Sequence, residues 1–568
     1  MSFHRSRNRS GARMLSILLP LLALALAGVR AQGDPDDLRL GEGMYREGVL
    51  PSGKPMRALV KGDVPTDGTM FSCVTCHLRS GMGSVEGAVP APPISGPRLY
   101  APRFRFPRRP LRRKPRESRS SPAPDPVRPA YTDPTLARAL RDGIDPSGRT
   151  LDATMPRFLL DDGDMSILIE YLKHLSAGNA PGVTDTTLRF ASIVTEGVEA
   201  ADRDAMLATL EAYIADRNAV PRRQEVLAGS ATIGKPMYAG YSGSRRLELD
   251  RWELTGPPET WRSQLDALQR ARPVFALLGG LAAAEWNPIH EFCEAEAIPC
   301  LFPITELPEV SETGWHTLYF SKGLYQEGEA AARYLSSIPD LPAEAPVIQL
   351  LRDTPEARAL AWGFEEAWAA SGRPPPKRRV LGPEEGAAAA ARETLAGAEK
   401  EGVAALWLGS ADMAALWKMI GAPHSPRFVF VSSGLLGGAL EAIPETARSL
   451  TYLTYQGPLP AEQRTRMAAI ESWLRARNVP LTRPALQSRA YFIGWMLSSA
   501  LARMGDEFHR DHLLDVMDTM IDQTFSIAPY ERLSFGHGQR YASKGCYVVQ
   551  WGPGPRPELL KRSEWVAY

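Results

Sequence analysis

Apolar positions fall along this chain in three regimes. An uninterrupted apolar run from Leu15 to about Gly28 follows a basic head, MSFHRSRNRSGARM, and gives way to polar sequence at Gln32. Further on, Met165, Leu168, Leu172 and Leu175 recur at the spacing of one buried helical face, with Asp161 or Asp162 placed to cap the helix. From residue 188 short apolar runs alternate with helical stretches. The runs are Leu188–Val194, Val274–Leu278, Val347–Leu351, Val403–Leu408 and Phe428–Val431, with RRLELDRWEL as a further strand. The helical stretches are Ala201–Asn218, Ala283–Ala297, Pro355–Ala370 and Asp412–Ile420. Such alternation predicts parallel sheets covered on both faces, and its length suits two lobes. A small ligand is then expected in the crevice at the strands' carboxyl ends.

The first regime has the layout of a secretory signal peptide, residues 1–31, and is short for a membrane span, with an uncleaved anchor as the alternative. It implies export by the general secretory route to the periplasm, with no span left after cleavage. A small-residue linker, 179–187, separates residues 36–178 from 188–568. The formal net charge of +1 hides one strong asymmetry. The segment 98–130 is rich in arginine and proline, has no helical or strand periodicity, and reads as a mobile surface loop. Beside a redox centre, such a patch would steer an acidic partner protein. Nucleic acid is a poor partner for an exported chain.

Only five cysteines occur. Two of them stand in FSCVTCHLRSG as Cys73-Val74-Thr75-Cys76-His77. Zinc would want a second ligand pair, but the next cysteine is Cys293. A redox dithiol would want a βαβ setting, but the preceding VKGDVPTDGTMFSC is irregular. Covalent haem attachment is left, with each thiol bound to one vinyl group and His77 as the proximal iron ligand. Among downstream residues, Met82 is too near His77 to reach the other face of the ring. Met165 and His174 sit inside the helix, as a core residue and a solvent-side residue. Met155, in a Met-Pro loop before that helix, is the expected distal ligand.

With these motifs, residues 36–178 resemble class I c-type cytochromes. LGEGMYREG resembles the family's first helix, with Gly41 and Tyr45 at the spacing that crosses the last helix, here near Tyr171 and Leu172. The resemblance implies a small all-α domain with one haem c, acting as an electron carrier and not an enzyme. The basic insert departs from the family. Residues 188–568 resemble the type I periplasmic binding proteins of the leucine/isoleucine/valine group. The resemblance rests on RPVFALLGGLAAAEWNPIHEFCEAEAIPCLFPITELP, TLYFSKGLYQEGEAAARYL and GVAALWLGSADMAALWKMIG. It implies a two-lobed α/β module with Thr195, Gly280, Thr305 and Tyr319 as cleft candidates. The family's hydroxyl residue after the Gly-Gly turn is missing, since Leu281-Ala282-Ala283-Ala284 follows Gly279-Gly280. Thr305 falls one position off the family's threonine. A ligand other than an amino acid, or a cleft kept as scaffold, is therefore expected.

Cys293 and Cys300, joined by a turn, are expected to form a disulfide, with two buried free thiols as the alternative. Cys546 reads as unpaired and buried, and the histidines of HRDH, His509 and His512, as solvated. The whole reads as a multidomain periplasmic electron carrier whose second module binds a small molecule or docks a dehydrogenase. The alternative is an ABC-transporter-type solute-binding or sensory receptor in which the haem is a redox or gas sensor.

Overall fold

The computed structural model describes residues 34–61, 64–86, 89–104, 126–219, 245–310, 314–342, 344–396, 402–421, 425–520, 524–536, 538–554 and 557–567. The expected signal segment and residues 105–125 of the basic insert lie outside them. The chain divides at Gly178 into two compact units.

Among the described residues the first unit has, besides the four-residue helix Gly96–Leu99, the helices α1 (Pro35–Arg46), α2 (Cys73–His77), α3 (Asp133–Asp142) and α4 (Asp162–His174). Each longer helix starts on a residue that satisfies a free N–H. Asp34 accepts from Asp36 N, Thr132 forms a capping box with Thr135, and Asp161 accepts from Asp164 N at 2.8 Å. The α1–α4 crossing is formed by close approach. A Cβ on Gly41 would lie 2.5 Å from Tyr171 Cβ and 2.9 Å from the Ile167 carbonyl oxygen. One turn on, the Tyr45 and Tyr171 rings meet at 5.4 Å, and the Tyr45 hydroxyl donates to the Leu78 carbonyl at 2.6 Å.

Two expectations for this unit are corrected. It is not all-α, because Arg57–Val60 pairs antiparallel with Val64–Asp67 on one side and with Arg157–Phe158 on the other. Strands this short leave no readable alternation. The insert is also not a loop throughout. Gly96–Leu99 is a helical turn, and Arg103–Phe104 pairs with Pro126–Arg128. Buried Arg128 stabilises that base by donating to the carbonyls of Arg98, Leu99, Ala101 and Pro129.

Among the described residues the second unit contains two large sheets and one small hairpin, Thr524–Ile527 with Tyr530–Ser534, while Val566–Ala567 pairs antiparallel with the strand Gly545–Trp551 of the second large sheet. The first joins β1 (Thr187–Thr195), β2 (Arg246–Leu254), β3 (Ala276–Leu278), β4 (Cys300–Leu301) and β5 (Thr317–Leu318). Their order is β5-β4-β3-β1-β2, and every pairing is parallel. The second joins β6 (Val347–Arg352), β7 (Lys377–Leu381), β8 (Val403–Trp407), β9 (Phe428–Ser432), β10 (Thr451–Tyr455), β11 (Gly545–Trp551) and β12 (Leu559–Lys561). Their order is β7-β6-β8-β9-β10-β11-β12, parallel as far as β10 and antiparallel beyond it. Both sheets are covered on two faces, which is why their strands read as continuous apolar runs. Along β1, Leu188, Phe190 and Val194 enter one cluster while Ala191 and Ile193 enter another. Along β8, Ala404 and Leu406 face one cluster while Val403, Ala405 and Trp407 face the other. Two α/β lobes are thus present.

Replacing Gly41 with valine should force α1 and α4 apart. Overpacking of this kind costs about 1–3 kcal/mol. Thermal melts of the full chain should show the loss in the transition of the first unit, whereas the same change at Gly43, which has open space around it, should leave that transition in place.

Candidate functional site

The single-turn helix α2 carries the Cys-x-x-Cys-His sequence. Cys73 and His77 are buried and Cys76 is exposed. The His77 Nδ1 lies 2.9 Å from the Pro92 carbonyl oxygen, which can only accept, so Nδ1 carries the proton and Nε2 keeps its lone pair. Burial pushes the His77 pKa down, partly offset by that carbonyl, so the ring is neutral at neutral pH. As a free thiol, Cys73 is pushed up to about 12 by burial, with the nearby Cys76 adding to the effect and a backbone hydrogen bond opposing it. A buried thiol of this kind is no thiolate nucleophile. Among the described residues no group of three or more His, Cys, Asp or Glu side chains is placed to hold a metal ion.

Cys73, Cys76, His77 and Met155 line one cavity of about 370 Å³. The rest of its lining is chiefly apolar, with Leu99, Tyr131, Leu136, Leu140 and Phe158 prominent. Met155 is half-buried, in a loop fixed at both ends. Asp152 accepts from Thr154 N and Oγ1, and the Arg157 guanidinium donates to the Met155 carbonyl at 2.6 Å. The strand Arg157–Phe158 then ties the loop's exit to Ala58 and Leu59. Met165 is in the core and His174 is exposed, bonded through Nδ1 to the Glu170 carbonyl.

In the second unit a crevice of about 960 Å³ lies between the lobes, at the carboxyl ends of strands from both sheets. Residues after β2, β3 and β4 line it from one side, and Pro355 and Glu356, after β6, from the other. Thr305 lines this crevice. Thr195 and Gly280 shape the wall behind it. The Thr195 hydroxyl accepts from Ala283 N at 2.9 Å, and Gly280, at φ +115°, leaves room for Trp286, whose ring a Cβ would meet at 2.6 Å. Tyr319 is corrected: it does not line the crevice. It is buried between His290 and Tyr541, with its hydroxyl 3.1 Å from His290 Nδ1. The bridge between Cys293 and Cys300 is likewise corrected. Both are free thiols, hydrogen-bonded to each other inside one apolar cluster. Cys546 is free and buried, as expected. Neither HRDH histidine is solvated as expected: both are half-buried, His509 with Nε2 3.7 Å from Glu507 Oε2 and His512 with Nδ1 2.8 Å from the Glu507 carbonyl oxygen.

Sequence reasoning missed a buried carboxyl behind the crevice. Glu327, in the helix Gly323–Ser336, accepts from Ser432 Oγ at 2.6 Å, Thr454 Oγ1 at 2.7 Å and Gln456 Nε2 at 3.1 Å. Gln456 also donates to Glu306, which lines the crevice and takes a 3.1 Å bond from Arg489. Polar residues spread over Glu306 to Arg489 converge here, and no local motif announces them.

Comparisons with known proteins find likeness in structure only. No family model matches the chain, and no curated protein does. The structural neighbours are solute-binding proteins of ABC transporters and their kin. A type 1 periplasmic binding protein from Bordetella pertussis is 13% identical, with a TM-score of 0.45, covering 66% of this chain and 100% of that one. A fatty acid ABC transporter substrate-binding protein from Thermomonospora curvata is 14% identical, with a TM-score of 0.44, covering 69% and 95%. A solute-binding protein from R. palustris, solved in complex with benzoate, is 14% identical, with a TM-score of 0.44, covering 67% and 98%. Among the described residues no helix is long and apolar enough to cross a membrane.

Burial raises the Glu327 pKa from 4.5 to about 7, against the opposing hydrogen bonds of Ser432, Thr454 and Gln456. The folded chain therefore holds a proton that the unfolded chain releases near 4.5. Its contribution to stability is complete below that value and is lost as pH rises through about 7. Unfolding free energies from urea titrations at about pH 5 and about pH 8 should differ by a term on the order of 3 kcal/mol that Glu327→Gln removes.

Proposed function

We propose that the chain is an exported small-molecule-binding protein that carries one covalent haem c and passes electrons through it. The observation that carries the haem reading is the shared cavity of Cys73, Cys76, His77 and Met155. The residues present suit the group in charge, polarity and chemistry. Cys73 and Cys76 would hold it through thioether bonds, and His77 and Met155 would be its iron ligands. When bound, the group supplies one-electron chemistry at a potential raised by methionine ligation. The chain's own part is to orient and to exclude water. Pro92 holds the His77 ring with Nε2 unprotonated, and Arg157 holds the Met155 loop by its carbonyl. The apolar lining keeps solvent from the site. The electron partner suited to the arginine-rich segment 98–130 is an acidic protein, a dehydrogenase among them.

The crevice between the lobes favours a second role in the same chain. A cavity of about 960 Å³, lined by both lobes at the carboxyl ends of their strands, suits capture of a small molecule. A receptor for transport or sensing, with the haem reporting redox state or gas, fits that feature.

The test is spectroscopic. The chain produced in a haem-maturing host should be low-spin, with a weak near-infrared sulfur–iron band when oxidised. Met155→Ala should abolish the band and lower the midpoint potential. A band and potential untouched by that change would remove Met155 from the site, and with it the argument for a pure carrier.

A further inference from the structure

We infer that the crevice between the lobes takes an aliphatic cation with two or more positive charges and no carboxylate. The inference rests on the small-molecule reading of that crevice and names the class of ligand. The cavity itself defines the site, by its volume and by a lining drawn from both lobes; the charges on that lining define what can occupy it.

Five glutamates line the crevice: Glu259, Glu285, Glu291, Glu306 and Glu356. Against them, among the described residues, stands one basic lining residue, Arg262. Its guanidinium is already committed, to Asp266 at 2.9 Å and to Glu296 at 2.9 Å. Glu306 is partly neutralised by Arg489 at 3.1 Å. Among the described residues Glu259, Glu285, Glu291 and Glu356 form no ion pair, and Glu291 accepts only from Asn287 Nδ2.

Carboxylates of one sign facing a common space repel an anion and concentrate a cation. A ligand carboxylate in the same space would find Arg262 and Asn287 already bonded to carboxylates, leaving Thr305 as the uncommitted side-chain donor among the described lining residues, and would face the glutamates as well. The turn that would present a hydroxyl is alanine at 282, 283 and 284. Between the carboxylates the lining is aliphatic, from Ala282, Ile304 and Leu307. That alternation matches a methylene chain with ammonium groups at its ends. Because Glu291 belongs to one lobe and Glu356 to the other, one such chain could be held by both.

The test uses the full-length protein and isothermal titration calorimetry with spermidine, putrescine, L-leucine and benzoate. Spermidine should bind more tightly than putrescine, and leucine and benzoate should give no heat. Raising salt from about 20 mM to about 200 mM should weaken spermidine at least about tenfold. The double change Glu291→Gln with Glu356→Gln should weaken it about tenfold or more, with the thermal melt unchanged. Spermidine binding that ignores the double change lies elsewhere on the surface and overturns the inference. Binding of leucine or benzoate without spermidine also overturns it, while leaving the crevice a small-molecule site. If none of the four binds, the inference fails together with the small-molecule reading beneath it.

Discussion

The hydrogen bond between His77 Nδ1 and the Pro92 carbonyl is the constraint on which the first unit's chemistry depends. It fixes one tautomer, so the ring nitrogen that points away from Pro92 keeps its lone pair and is an acceptor, not a donor. The bond exists only because the backbone at Pro92 is brought beside α2. The hydrogen bonds of Ile94 N to Gly81 and of Gly96 N to Leu175 hold that backbone. Leu175 ends α4, and α4 is positioned by the Gly41–Tyr171 contact. A glycine 36 residues before the histidine is therefore part of the same device. Packing decides where the cavity opens, and the cavity decides which side chains share it.

In the second unit, the comparable constraint is the traffic of the chain between lobes. It leaves the first lobe after β5, returns after β10 and crosses again before β11. These passages are tied side by side: Ser543 N donates to the Phe320 carbonyl at 2.6 Å, and Ser321 Oγ bonds Gln456 at 3.3 Å. Glu327 sits against them, and Gln456 bonds both it and Glu306. A buried carboxyl is thus linked by one amide to a carboxylate on the crevice wall. Partly satisfied buried groups of this kind raise the stakes of any change in lobe position.

Much of this was legible in the chain. The Cys-x-x-Cys-His spacing, the Met-Pro loop and the glycine–aromatic spacing of α1 are local patterns, and local patterns survive translation into structure. The strand Arg157–Phe158 was not legible, because two residues carry no period. Tyr319 misled because its place after β5 matches a cleft position, whereas the aromatic neighbours that bury it, His290 and Tyr541, are remote in sequence. The turn between Cys293 and Cys300 does bring the two side chains together. Whether they bridge depends on geometry that spacing does not encode. The acidic character of the crevice was hidden by dispersion. Its glutamates are spread from Glu259 to Glu356 and face one space only because both sheets aim their carboxyl ends there.

The central claim is that a porphyrin is covalently joined at Cys73 and Cys76. Intact mass spectrometry of the chain made with haem-attachment machinery, after acid–acetone extraction, addresses it most directly. The expected mass is that of the processed polypeptide plus one haem, falling to the polypeptide alone when both cysteines are changed to alanine. The bare polypeptide mass in the unaltered chain would contradict it.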